Sequence, residues 1–86
     1  MRHALDEDLD RLEDLLVQLR TLPGLVEKKR GVFYRRGRAF LHFHEDPAGM
    51  FADLTGADGR GFDRIDVTEP AGQAELLALA RARLGV

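Results

Sequence analysis

The chain has 86 residues, 44% of them hydrophobic and 33% charged, with a formal net charge of −2 and no cysteine. These values describe one small α+β-sized globular domain over residues 1–86, and they exclude a disulfide scaffold, thiolate chemistry and a disordered composition. No apolar run approaches the ~18 residues of a membrane span, and no basic-then-apolar progression opens the chain, so a cytoplasmic location without membrane contact is expected.

Leu5, Leu9, Leu12, Leu16 and Leu19 recur at alternating steps of four and three, with Leu15 and Leu22 widening the stripe. This spacing predicts an amphipathic helix from about Asp6 to Thr21, ended by Pro23-Gly24. The stripe is too short for a coiled coil and is assigned to the core. Charge is segregated along this part of the chain. Asp6, Glu7, Asp8, Asp10, Glu13 and Asp14 surround a single Arg11, whereas Lys28, Lys29, Arg30, Arg35, Arg36 and Arg38 face only Glu27.

After that charged connection, Val32 to Arg36 and Ala39 to His44 predict a hairpin turning at Gly37. Glu45 to Gly49 is a loop of turn formers, Met50 to Leu54 a third strand, and Thr55 to Asp63 a glycine-rich loop. Arg64 to Val67 alternates as a half-buried fourth strand, and Thr68 is expected to cap a second helix with Pro70 in its first turn and Leu76, Leu77, Ala80 and Leu84 on its apolar face. The expected fold is a two-layer α-β-β-β-β-α domain of the α+β class, a four-stranded, mainly antiparallel sheet with both helices on one face.

Alternation divides that sheet. Val32, Tyr34, Ala39, Leu41, Phe43, Met50, Ala52, Leu54, Ile65 and Val67 are expected beneath the helices. Phe33, Arg35, Phe40, His42, His44, Phe51 and Asp53 are then left on an uncovered face. Three exposed phenylalanines imply a binding surface, and the leading expectation is a non-enzymatic binding module that forms a homodimer, or docks another protein, through Phe33, Phe40 and Phe51.

Two alternatives rest on other residues. Lys28, Lys29, Arg30, Arg35, Arg36 and Arg38, interleaved with Phe33 and Tyr34, have the composition of a nucleic-acid surface. His42 and His44, two apart on a strand, point the same way and can share a divalent metal with Asp46 as third ligand, while His3 is remote in sequence. No serine or cysteine accompanies the histidines as a nucleophile, so no catalytic residue is assigned, and no cofactor is expected. Gly56 to Gly61 lacks the lysine and hydroxyl of a P-loop, and Asp53, Asp58 and Asp63 lack calcium-loop spacing.

Leu22-Pro23-Gly24, Gly31 before Val32-Phe33, and Arg36-Gly37-Arg38-Ala39-Phe40 resemble the pattern of small MmcQ/YjbR-like proteins. His42-Phe43-His44-Glu45-Asp46 resembles the histidine-rich strand of a small luciferase-like domain family. Both resemblances cover about residues 15 to 54, and the tryptophan-containing strand of both families has no counterpart in a chain without tryptophan. The first resemblance implies a small α/β fold with a link to DNA binding.

Overall fold

The computed structural model describes residues 1–86. In chain order its elements are β1 (Arg2–His3), α1 (Asp6–Asp10), α2 (Glu13–Arg20), β2 (Val26–Lys29), β3 (Val32–Arg35), β4 (Arg38–Asp46), β5 (Gly49–Thr55), β6 (Phe62–Asp66) and α3 (Pro70–Leu84). The α+β class and the antiparallel sheet hold, but the sheet has six strands rather than four. Strands β2 to β6 form a meander in sequence order, and β1 pairs with the far half of β4. No helix is long and apolar enough to cross a membrane.

The leucine stripe folds as two short helices. Arg11 and Leu12 donate to the carbonyls three residues back, Asp8 at 3.2 Å and Leu9 at 2.9 Å, which tightens the chain and breaks the predicted single helix. Leu9, Leu12, Leu15, Leu16, Leu19 and Leu22 are nevertheless all buried, because the kink preserves one apolar face. Leu5 is the exception; it lies outside the first turn, exposed, and Asp8 Oδ2 accepts a bond from its backbone N–H at 2.9 Å. Leu76 and Ala80 of α3 complete the helical layer over Phe43, Ala52, Leu54, Ile65 and Val67, in one continuous core. Each fully buried leucine there contributes about 1.5–3 kcal/mol.

Gly31 turns β2 into β3 with φ +79°, and a Cβ on it would come within 2.8 Å of Leu9, so the absence of a side chain lets α1 seat directly on the hairpin. The next hairpin is a two-residue turn, Arg36 at φ 53° and Gly37 at φ 79° between the paired Arg35 and Arg38. Both positive values match a type I′ turn. An arginine in the left-handed region costs about 1–2 kcal/mol.

A register shift beyond that turn changes the face assignment. Tyr34 pairs with Ala39, but Phe33 pairs with Leu41, so Phe40 is an extra residue on β4. This bulge turns Phe33 onto the helix-covered face beside Leu41 and also directs Phe40 inward; the two are 1% and 3% exposed. Val32 and Tyr34, expected in the core, are only half-buried, and Ala39 is exposed. At the other end, Thr68 does not cap α3. Its hydroxyl accepts from Met50 N–H at 3.0 Å, and Glu69 takes the position before the helix.

A candidate histidine-carboxylate metal centre

The face opposite the helices is built by β4, β5 and β6, whose register places His42 across from Asp53, His44 across from Phe51, and Asp53 across from Arg64. Period-two alternation sets His42 and His44 side by side, with ring centroids 4.8 Å apart. Strand β1 adds His3 opposite His44, and its ring lies 4.9 Å from His44 and 5.9 Å from His42. All three histidines of the chain therefore meet at one place. Phe62 closes one side, its ring edge-on to His42 at 5.0 Å.

Asp53 is the anchor. Its Oδ1 and Oδ2 accept bonds from Arg64 Nε at 2.8 Å and a terminal guanidinium nitrogen at 2.9 Å. That guanidinium is the main reason the Asp53 carboxyl titrates below its ordinary range. Asp53 Oδ2 is also 3.5 Å from His42 Nε2 and 2.9 Å from His44 Nε2. The second contact is short but too bent to be a hydrogen bond, and His44 Nε2, a buried atom, has no hydrogen-bond partner. Burial chiefly, and then the neighbouring His44, depress the His42 pKa and favour its neutral imidazole.

Ligand atoms of His42, His44 and Asp53 all lie within 4.8 Å of one another. Zinc bonds of ~2.0–2.1 Å at the tetrahedral angle put ligand atoms roughly 3.3 Å apart. The two histidine-to-carboxylate distances bracket that value, and small side-chain rotations would close the set. His3 and His42, but not His44, also line a cleft of about 670 Å³ between β1 and the β2–β3 hairpin, which opens the edge of the cluster to one side.

The expected site residues thus fall into several places. His42, His44 and Asp53 share the open face as alternation predicts, and Phe51 is half-buried beside them. Phe33 and Phe40 belong to the core, so the expected aromatic surface of Phe33, Phe40 and Phe51 is not formed. Asp46 is not brought into the cluster; its Oδ1 accepts the Ala48 N–H at 2.7 Å and closes the β4–β5 turn. His3, remote in sequence, joins because β1 pairs with β4; a two-residue strand leaves no periodic signal that could have shown this.

The basic stretch is divided in the same way. Arg30 is committed to the acidic helices through Asp10 at 2.8 Å, Glu13 at 2.9 Å and Asp6 at 3.3 Å. Arg20, outside both runs, bridges Glu13 at 2.8 Å and Glu27 at 2.6 Å, so Arg30 alone of the basic run is paired with the acidic helices. Arg35 donates to the Arg83 carbonyl at 3.1 Å, at the end of α3. Lys28 sits over the Tyr34 ring, 4.4 Å from its centroid. The six cations form no single uncommitted surface. No family model, no curated protein and no solved structure matches the chain.

Proposed function

We propose that this chain is a small metal-binding module that holds one divalent transition ion, zinc in the first instance, on its open sheet face through His42, His44 and Asp53. The supporting observation is the His44 Nε2 atom, buried and without a hydrogen bond, beside a carboxylate and a second imidazole. Burying a polar nitrogen unpaired costs free energy that a metal bond would recover. Two imidazoles and a carboxylate suit zinc, and nickel or copper would compete for the same donors. Arg64 takes the outer-shell role of fixing the carboxylate's orientation. His3 is placed to supply a further imidazole from β1.

The test is titration of untagged, metal-stripped protein with zinc by calorimetry and native mass spectrometry. One ion per chain is expected, lost in His44→Ala and Asp53→Ala and retained in Asp46→Ala. Absence of binding by zinc, nickel and copper sinks the proposal, as does binding that survives His44→Ala.

A further inference from the structure

The tip of the β3–β4 hairpin and the glycine-rich β5–β6 loop lie some way apart in the chain, and the fold sets them on the walls of one cavity of about 450 Å³. The hairpin contributes Arg35, Arg36 and Arg38, the loop contributes Gly56, Gly59 and Gly61, and α3 contributes Arg83. Only four of the twelve lining residues are hydrophobic, against nine of fifteen in the cleft beside His3, so this is the more polar of the two. The loop wall is folded on itself, with Gly56 N–H donating to the Gly61 carbonyl at 3.1 Å and Gly59 N–H to the Gly56 carbonyl at 2.9 Å.

Its charge is unbalanced. Arg83 pairs with Asp63 at 3.1 Å, while Arg35 bonds a backbone carbonyl and Arg36 and Arg38 have no acidic partner. Four arginines therefore line the cavity, and one of them is paired with a carboxylate. Arg36 also occupies a backbone position that favours Asn or Gly. Phe62, 47% exposed, adds an open aromatic ring to the wall.

We propose that this cavity binds a small phosphate monoester carrying an aromatic group. Guanidinium forks match phosphate oxygens two at a time, an exposed phenyl ring stacks on an aromatic substituent, and the volume lies within the range of small-molecule sites. The site shares no metal ligand with the histidine cluster and borders it only through Phe62, whose ring lies edge-on to His42.

Calorimetry with phenyl phosphate and with inorganic phosphate, at low salt and with EDTA present, tests the idea. Phenyl phosphate is expected to saturate one site per chain and to bind tighter than inorganic phosphate by on the order of tenfold, the worth of one stacked ring. Arg36→Asn should keep or raise the melting temperature, because Asn suits the left-handed turn, and weaken binding about tenfold or more. Arg38→Gln should weaken it likewise. No saturable binding of either anion overturns the proposal, as does unchanged affinity in Arg36→Asn. A short single-stranded oligonucleotide that binds far tighter than phenyl phosphate, with affinity falling steeply in salt, overturns the small-ligand assignment in favour of a nucleic-acid surface.

Discussion

The two faces of the sheet are made from the same strands and differ in almost every physical respect. Beneath the helices, Phe33, Leu41, Leu54 and Val67 are buried among leucines and hold the fold by excluding water. On the other side, His42, His44 and Asp53 are partly enclosed, shielded by one another, by His3 and by Phe62 rather than by a second layer. Hydrophobic burial makes one face tolerant of detail and costly to perforate. Polar enclosure makes the other face sensitive to charge, proton and ion at modest cost to the fold.

The sharpest way to break this contrast is to hollow the covered face. Phe33→Ala should lower unfolding free energy by about 3–5 kcal/mol in denaturant melts. If Phe33 lay on the open face instead, the loss would be under ~1 kcal/mol. A second test loads the open face. Zinc at ~100 times its dissociation constant should stabilise the protein by about 2.7 kcal/mol, and His44→Ala should abolish that gain in thermal melts while Phe33→Ala leaves it intact.

Protons probe the same asymmetry. His42, held among His44, His3, Asp53 and Arg64, has a pKa depressed below its ordinary 6.5. The unfolded chain therefore takes up a proton near that pH which the folded chain refuses. Stability of the metal-free protein should be full above pH ~6.5 and decline as pH falls below it, and His42→Gln should flatten that slope. A separate decline follows as pH falls below about 4, where the unfolded chain takes up carboxyl protons that the depressed Asp53, Glu27 and Glu13 of the folded chain still refuse. The smallest effect is expected from Phe62→Ala, within about 0.5–1 kcal/mol of the native chain, since its ring is half exposed.

Periodicity made much of this legible. The leucine steps locate the helical layer, and alternation through β4 and β5 brings His42, His44 and Asp53 to one side. It failed where a single residue carries the geometry. The Phe40 bulge reverses β3 against β4, and nothing in the string Arg38-Ala39-Phe40-Leu41 marks an extra residue. β2 was unreadable for the opposite reason. As an outer strand with Val26 58% exposed and lysines following, it has no buried side to alternate against. The third imidazole required knowing that Arg2 and His3 pair with Glu45 and His44, a long-range contact with only two residues of local support.

The sheet's two outer strands carry a further consequence. β2 ends in Lys28 and Lys29, and β6 interposes Asp63, Arg64 and Asp66, so each unpaired backbone rim is lined with exposed charge. A copy of β2 laid along β2 would set lysines near lysines, and exposed charge on an edge disfavours added strands. Edge-to-edge association through β2 is thereby disfavoured, and neutralising Lys28 and Lys29 would weaken that protection.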